Sequence, residues 1–276
     1  MNIFSIDVED YYHVLDDCEV ISLDQWDNCL PLVEKNFTKL LDQLDRNNTK
    51  ATCFFLGYIA KRFPHLVKEA ANRGHELASH GMYHKLITQM SRIEFKEDIT
   101  ESKKLIEDIS GIQVKGFRAP SFSVHKDNDF FFEELVNAGY TYDSSVFPAN
   151  HDFGGYFLED TSPFKINTLN GSIIEFPISV TDAFNKRLCY FGGGFLRLFP
   201  YLLISYMSKK VNKENKPVIY YIHPREIDPN HPRLKMSFKR YVKSYINLKT
   251  TTPKIEKILK NFNCTSFDNY INTKGL

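Results

Sequence analysis

The fold is decided by the stretch NIFSIDVED at residues 2–10. Its first six residues are rich in β-forming side chains and predict a strand, which runs directly into the acidic residues Asp7, Glu9 and Asp10. Outward from this strand, apolar runs alternate with amphipathic segments of about 10–20 residues, the pattern of βαβ units. The sequence therefore predicts an α/β fold built on a parallel sheet or barrel.

The other predicted elements follow along the whole chain. Strands are indicated by KATCFF (50–55), HELASH (75–80), VKGFRAP (114–120), GSIIEFPIS (171–179) and KPVIYYIHP (216–224). Helices are indicated by residues 32–48, 64–74 and 91–111, and residues 128–145 predict a helix, a glycine and a further strand. Gly74 and Gly111 are placed to end two of these helices.

Composition limits the functional class. The chain has 276 residues, of which 42% are hydrophobic and 25% charged, as in an ordinary globular protein, and this length suits one α/β barrel. A net charge of +1 gives no support for a nucleic-acid or polyanion binder. The cysteines are odd in number and form no CxxC pair, so we expect neither a disulfide framework nor a zinc ribbon. They are Cys18, Cys29, Cys53, Cys189 and Cys264.

Targeting signals are not evident in the sequence. The first residues lack a basic segment followed by an apolar one, and no run of about 18 apolar residues exists, so we expect a cytoplasmic protein. The apolar stretch GFLRLFPYLLISYMSKK (194–210) is interrupted by Arg197 and Pro200. It predicts a core or interfacial helix, with membrane-surface binding as the alternative.

Polar residues follow five of the predicted strands. In a barrel these strand ends converge on one face, where α/β folds carry their chemistry. One cluster is the pair His80 and His84 in SHGMYHKL (79–86), a spacing that suits two ligands of Zn²⁺ with a carboxylate as the third. An isolated pair of this kind is more often two surface histidines, so the interpretation as a metal site depends on the other strand-end clusters. They are Asp7 with Glu9 and Asp10, Arg118 with Pro120, Asp143 with Ser144 and Ser145, and His223.

The order of these motifs resembles the polysaccharide deacetylase family, also called the NodB-homology or carbohydrate esterase 4 (CE4) domain. The matching motifs are SIDVED (5–10), SHGMYH (79–84), GFRAPSFS (116–123), YDSSVFP (142–148) and YYIHPREID (220–228). The DVEDY-type opening, EFPIS, FGGGFLRLFP and the tail near residues 245–262 are similar to the branch associated with exopolysaccharide loci. The resemblance implies a distorted (β/α) barrel with fewer strands than a TIM barrel, spanning residues 1–276. Residues from about 229 to 276 would form a family-specific extension packed on that barrel.

The resemblance also implies a divalent metal held by an acid and two histidines. His80 and His84 match the histidines, and Asp7 matches the general base. The remaining ligand is Glu9 or Asp10: related Asp-x-Asp members favour Glu9 by position, whereas carboxylate type and the shorter arm favour Asp10. We favour Asp10.

Further roles come from the same resemblance. Arg118 matches the arginine that pairs with the base, and the amide after Pro120, that of Ser121, matches an oxyanion donor. Phe122 stands near a common tyrosine position. Ser145 in YDSS and Arg197 in GGGFLRL are further substrate-binding candidates, the latter for a phosphate or a uronic acid.

His223 matches the general acid that protonates the departing amine. The carboxylate that orients it is either Glu175 or Asp143. Tyr221 and Ile222 are expected to line the acetyl pocket.

The predicted function is hydrolysis of an N-acetyl group on an amino sugar of a polysaccharide or of its lipid- or nucleotide-linked intermediate. The expected cofactor is one divalent ion, preferably Zn²⁺, with Co²⁺, Ni²⁺ or Mn²⁺ as alternatives. Expected partners are the N-acetylated saccharide and, through a lipid-linked substrate, a membrane surface, but no nucleic acid. The alternatives are hydrolysis of another C–N bond, in an N-formyl sugar or a cyclic amide, and an inactive carbohydrate-binding barrel.

Overall fold

A nine-stranded sheet forms the centre of the protein in the computed structural model, which describes residues 1–15, 20–149, 152–183 and 186–276. Its strands are β1 (Asn2–Val8), β2 (Thr52–Phe55), β3 (Glu76–Ser79), β4 (Gly116–Phe117), β5 (Tyr142–Asp143), β6 (Phe164–Thr168), β7 (Gly171–Glu175), β10 (Ile219–Ile222) and β11 (Cys264–Thr265). A separate hairpin consists of β8 (Thr181–Ala183) and β9 (Lys186–Leu188).

Helices cover this sheet. They are α1 (Val33–Arg46), α2 (Gly57–Arg62), α3 (Pro64–Asn72), α4 (Arg92–Ser110), α5 (Phe131–Asn137), α6 (Gly193–Leu198), α7 (Tyr201–Lys213), α8 (Phe238–Tyr245), α9 (Thr251–Asn261) and α10 (Phe267–Lys274). The first strand and the four helices predicted from periodicity are confirmed, with ends shifted by a few residues.

The strand order is β10-β1-β2-β3-β4-β5-β7-β6, and all neighbours are parallel except the β6–β7 pair. The segment that follows β7 meets β10, the strand at the other end of this order. There the Ser179 hydroxyl donates to the carbonyl of Pro217 over 3.2 Å and accepts from the amide of Ile219 over 2.9 Å. The sheet therefore curls into a distorted (β/α) barrel, as the sequence predicted.

Local chemistry explains where α4 begins and ends. Ser91 and Glu94 form a reciprocal capping box at its start, and Gly111 ends it in the left-handed region at φ 70°. The face of α4 that carries Phe95, Ile99 and Ile106 is fully buried against the sheet. Burial of each such side chain stabilises the fold by roughly 1.5–3 kcal/mol.

Strand β6 and the apolar stretch 194–210 differ from the sequence predictions. Strand β6 was not predicted, because it alternates half-buried and exposed residues and is bound to β7 by a tight turn at 169–170. The apolar stretch 194–210 forms two helices rather than one, since Pro200 starts α7 after α6 has ended at Leu198. Within it Leu202 is 81% exposed, so this stretch is not purely a core helix.

The C-terminal segment belongs to the same body. Strand β11 pairs with Asn2 and Ile3 at the start of β1, and α10 packs its Phe267 ring against Phe54. Cys29, Cys53, Cys189 and Cys264 are free thiols, whereas Cys18 and His151 lie outside the described residues. None of the helices in the described ranges has the length and apolarity needed to cross a bilayer.

Candidate active site

A cavity opens at the carboxyl ends of β1, β3 and β10. The loop before α6 and residues around α8 complete its wall, so segments distant in sequence enclose one space. Its acidic, basic and histidine lining residues are Asp7, Glu9, His80, His84, Arg197, His223, Arg225, Glu226, Arg240 and Lys243. The cavity thus brings together residues from three of the five predicted strand-end clusters.

Glu9, His80 and His84 form a potential metal site within this cavity. One ligand atom from each lies within 4.8 Å of the others, and all three side chains are buried. Glu9 Oε2 stands 2.7 Å from His84 Nε2. One carboxylate and two imidazoles that converge in this way fit a divalent cation and leave coordination positions open.

The charge state of this group suits a cation. Burial alone would raise the pKa of Glu9, but the neighbouring His84, His223 and Arg225 side chains hold it well below the ordinary value of 4.5. Burial lowers the pKa of His80 to about 4, so its imidazole is neutral at pH 7. A carboxylate and neutral imidazoles are the forms that bind metal ions.

The preference for Asp10 as the metal ligand is corrected by the structure. Asp10 Oδ1 accepts from the Tyr11 amide over 2.7 Å, and Oδ2 accepts from the amides of Leu32 and Val33 over 2.6 and 2.8 Å. Both oxygens are therefore committed to the backbone. Glu9, one residue earlier, carries its carboxylate into the cavity.

The loop that carries the two histidines is held from behind. Asp98 of α4 accepts from the Met82 amide over 2.8 Å, and a Cβ on Gly81 would stand 2.7 Å from its Oδ2. His80 Nδ1 lies 2.7 Å from the carbonyl of Arg118. A carbonyl can only accept, so Nδ1 must donate, and Nε2 of His80 is left free for a ligand role.

Asp7 and Arg118 form the buried ion pair that the resemblance implied. Arg118 Nη1 donates to Asp7 Oδ1 over 2.7 Å and to the Ser5 hydroxyl over 2.9 Å. Its Nε donates to the Ser144 carbonyl over 3.2 Å, and its plane lies 4.2 Å from the centre of the Phe54 ring. Arg118 is thus fixed on several sides, which leaves Asp7 Oδ2 directed at the cavity.

The carboxylate that orients His223 is Glu226, so the assignment to Glu175 or Asp143 is wrong. His223 Nδ1 is 2.5 Å from Glu226 Oε1, and Glu226 Oε2 is 2.7 Å from Arg197 Nη1. Burial alone would raise the pKa of Glu226, but Arg197 and His223 lower it to about 2. This ionised carboxylate accepts from Nδ1, and Nε2 of His223 faces Asp7 Oδ2 and Glu9 Oε1 at 3.7 Å each.

Asp143 and Glu175 act on the neighbouring backbone instead. The Ser145 hydroxyl donates to Asp143 Oδ1 over 2.6 Å and accepts from the Ala119 amide over 2.8 Å, while Glu175 accepts from the Val146 amide over 3.0 Å. Ser145 is fully buried and does not line the cavity. It supports the loop that follows Arg118, which corrects its assignment to substrate binding.

The remaining predicted pocket residues divide into two groups. Ser121, Phe122 and Tyr221 line the cavity, and the first two have left-handed φ values of 52°. Pro120 is buried beside that turn, and Ile222 points into the apolar core on the opposite face of β10 from Tyr221. Ile222 is therefore not part of the pocket wall.

Arg197 lines the cavity but does not reach out for substrate. It is 1% exposed, and its Nη2 donates to the Lys243 carbonyl over 2.5 Å in addition to the Glu226 contact. The preceding glycines allow a close approach to protein, since a Cβ on Gly192 would stand 2.1 Å from the Tyr221 ring. Arg197 is thus a support for Glu226, contrary to the sequence interpretation.

Sequence reasoning missed Glu226 and Arg225 in HPRE, although a signal was present. Residues 224–227 form a 3₁₀ turn directly after β10, and side chains three residues apart eclipse in such a turn. His223 and Glu226 have this spacing. The motif therefore contains its own orienting carboxylate.

We expect Glu226→Gln to lower the pKa of His223. Burial lowers that pKa, but the charges of Glu9, Glu226 and Asp7 together raise it above the ordinary 6.5. Removing one carboxylate removes stabilisation of the imidazolium, so the proton leaves at lower pH. An NMR titration of the His223 ring protons measures this shift, with Glu175→Gln as the matched control. A shift in the Glu175 variant alone would contradict the assignment.

Family models match both halves of the chain. Residues 16–142 match the model described as polysaccharide deacetylase, and residues 144–272 match a domain of unknown function, DUF3473. The first half of the chain is therefore similar to the polysaccharide deacetylases.

Several curated proteins are similar over part of their length. A peptidoglycan-N-acetylglucosamine deacetylase of Bacillus cereus is 34% identical over 82 residues, 30% of this chain and 30% of that protein. The peptidoglycan deacetylase-like protein FGM2 of Gibberella zeae is 30% identical over 130 residues, 46% of this chain and 37% of that protein. The chain spans less than half the length of each of these relatives.

Solved structures share the fold. A Mycobacterium smegmatis protein assigned to the polysaccharide deacetylases matches with a TM-score of 0.65 at 17% identity, over 99% of this chain and 90% of that one. A CE4 family pseudoenzyme of Bacillus anthracis matches with a TM-score of 0.51 at 13% identity, over 98% of this chain and 64% of that one. At such identities the likeness concerns the fold.

Proposed function

We propose that the protein is a metal-dependent hydrolase that removes the N-acetyl group from an amino sugar. The observation that carries this proposal is the convergence of three devices in one cavity. These are the Glu9–His80–His84 group, the Asp7–Arg118 pair and the His223–Glu226 pair. Together they offer what amide hydrolysis needs: a place for a Lewis acid, a base and an acid.

Glu9, His80 and His84 would hold the metal, for which Zn²⁺ is our choice because two imidazoles and one carboxylate suit it. When bound there, a divalent ion would supply Lewis-acid chemistry, making water a stronger acid with a pKa of about 7 and polarising the acetyl carbonyl. His80 is oriented for this role by the Arg118 carbonyl, and Glu9 by its place at the end of β1.

The chain's own residues would move the protons. Asp7 takes the proton of the attacking water through Oδ2, while Arg118 holds its other oxygen. His223 delivers a proton from Nε2 to the departing amine, and Glu226 keeps the ring in the tautomer and orientation that this requires. The amide of Ser121 donates to the oxyanion that forms at the acetyl carbon.

We assign the substrate to N-acetylated sugars within a polysaccharide or its lipid- or nucleotide-linked precursor. The exopolysaccharide-associated branch, the cytoplasmic location and association with a membrane surface through a lipid-linked substrate stay predictions from sequence. So does the division into a single domain with an extension over about residues 229–276. Support for treating the chain as one functional unit comes from α8, whose Lys243 and Ser244 line the same cavity as Glu9.

An inactive carbohydrate-binding barrel is the alternative, and a CE4 pseudoenzyme shares the fold. A module that only binds sugar does not need a base, an acid and their orienting partners. The paired Asp7 and Arg118 and the paired His223 and Glu226 therefore favour an enzyme.

The test of function is mass spectrometry of saccharides incubated with the zinc-loaded protein. We expect N-acetylglucosamine oligosaccharides or lipid-linked glycans to lose one acetyl group, with release of acetate. Formate release from an N-formyl sugar would instead support the neighbouring C–N hydrolase reaction. Unchanged saccharides across the panel, with metal bound, would support the inactive barrel.

We expect the double variant His80→Ala/His84→Ala to bind no stoichiometric zinc, because two of its three ligands are gone. Glu9→Ala should weaken zinc binding by at least about 10- to 100-fold, whereas Asp10→Ala should retain the metal despite its lost backbone bonds. Metal analysis after dialysis measures this, with thermal unfolding as the check on folding. Zinc retained by Glu9→Ala and lost by Asp10→Ala would restore Asp10 as the ligand.

A further inference from the structure

We propose that Arg225 forms a binding site for an anionic group of the saccharide, a carboxylate or a phosphate, next to the proposed metal site. This inference deepens the proposed function, on which it rests, by naming a class of substrate. Arg225 lies between His223 and Glu226 in the turn after β10 and lines the same cavity as Glu9.

The guanidinium of Arg225 is buried without a matching set of acceptors. The residue is 6% exposed, and its Nε and Nη1 have no hydrogen-bond partner among the described residues. Its nearest carboxylate oxygen is Glu9 Oε1, 3.8 Å from Nε, which is too long for a hydrogen bond. Arg225 thus carries a charge with unfilled donors at the cavity wall.

Two other buried arginines at the site show what a structural role requires. Arg118 donates to Ser5, Asp7 and Ser144. Arg197 contacts Glu226 and donates to the Lys243 carbonyl. Each of these two arginines has a carboxylate oxygen at 2.7 Å, whereas the carboxylate oxygen nearest to Arg225 is 3.8 Å away.

The charge of the whole lining points the same way. In the described part of the chain, the lining carboxylates are Asp7, Glu9 and Glu226, and the lining lysine and arginines are Arg197, Arg225, Arg240 and Lys243. The charge of Asp7 is already paired with that of Arg118, which is not among the lining residues. A divalent ion bound by Glu9 would neutralise the carboxylate nearest to Arg225. The positive charge of Arg225 would then favour an anion beside its guanidinium.

Guanidinium geometry specifies the kind of anion. Arginine stays charged and presents its N–H donors in a planar fork that matches a carboxylate or a phosphate. A buried guanidinium with open donors costs free energy until such a group supplies acceptors. A sugar with a carboxylate, as in a uronic acid, or with an attached phosphate meets this requirement.

The test compares three probes on the zinc-loaded protein by calorimetric titration and by acetate release. The carboxylate probe is a disaccharide of N-acetylglucosamine and glucuronic acid, and its neutral counterpart contains glucose instead. UDP-N-acetylglucosamine is the phosphate probe. We expect the wild type to bind at least one anionic probe about 10-fold or more tightly than the neutral one, and the preferred probe identifies the source of the charge.

Arg225→Gln should weaken binding of that anionic probe by about 10- to 100-fold and raise its KM, and the loss of binding for the neutral probe should be much smaller. Arg225→Lys should restore part of the preference, since it keeps the charge without the fork. Arg233→Gln removes an exposed arginine farther along the same segment and should match the wild type.

Three outcomes separate the explanations. Equal losses for neutral and anionic probes, with kcat reduced, would mean that Arg225 positions Glu9 and would overturn the anion site. The same holds if the wild type shows no anionic preference, which decides the matter even where Arg225→Gln fails to fold. Preferential binding without acetate release would support the anion site and overturn the deacetylase reaction, so the two failures are distinguishable.

Discussion

Asp7→Asn is expected to lower the turnover of N-acetyl substrates by about 100- to 10,000-fold while the protein keeps its metal, because a positioned general base contributes a factor of this size. An asparagine amide has nearly the shape of the carboxylate but cannot take the proton of the attacking water. The proposed metal site of Glu9, His80 and His84 does not include Asp7, so metal content should stay stoichiometric.

A loss of stability must be separated from this effect. Asp7→Asn leaves the buried guanidinium of Arg118 without its counter-charge, and breaking a buried pair costs about 3–5 kcal/mol. Asp143→Asn is the matched control, since Asp143 is also a fully buried strand-end aspartate but faces Ser145 rather than the cavity. Near-normal turnover of Asp7→Asn, or an equal fall in Asp143→Asn, would show that the base lies elsewhere.

The fold was predictable because its signals are local. The strand that ends at Val8, the capping box at Ser91 and the left-handed glycine Gly111 each depend on neighbours within a few residues. Right-handed βαβ order then places the strand ends on one face. By contrast, the β6 strand depends on its hairpin partner β7.

The choice between Glu9 and Asp10 shows where local reasoning ends. Both are acidic, both follow the same strand, and both are buried. The difference is that the backbone amides of Leu32 and Val33, more than twenty residues away in sequence, donate hydrogen bonds to Asp10. Burial raises the pKa of Asp10 to about 6, against the effect of those amide bonds. The spacing of residues around position 10 therefore cannot show which of the two acids is hydrogen-bonded by these distant amides.

Residues at the other strand ends were correctly expected to meet, but their roles depend on orientation. Ser145 and Arg197 stand close to the site in sequence motifs and in space, yet their polar atoms are engaged by protein. Ser145 is engaged by the amide of Ala119 and Arg197 by the carboxylate of Glu226. Tertiary packing sets the positions of these partners, and they make Ser145 and Arg197 supporting side chains rather than substrate-binding ones. Residue type and order therefore predict membership of the site better than function within it.

The second large effect is expected for His223→Ala, which should slow hydrolysis of N-acetyl substrates by about 100- to 10,000-fold with fold and metal retained. An amine leaves poorly unless it is protonated as the C–N bond breaks. His223 Nε2 faces the cavity. Burial lowers the pKa of His223, but Glu9, Glu226 and Asp7 raise it by more, so that it lies above the ordinary 6.5. The imidazolium therefore persists toward neutral pH as a proton donor.

The leaving group provides the decisive comparison. Phenolate departs with little need for a proton, so phenyl acetate hydrolysis should fall much less in His223→Ala than hydrolysis of an N-acetyl sugar. A purely structural defect would reduce both reactions equally, because both use the same metal site and the same Asp7 base. Equal factors for ester and amide would therefore exclude a leaving-group role and would indicate that His223 orients water or substrate. Glu226→Gln, which keeps the imidazole but removes its ionic partner, should show the same preference for the ester in a weaker form, with the activity at high pH reduced first.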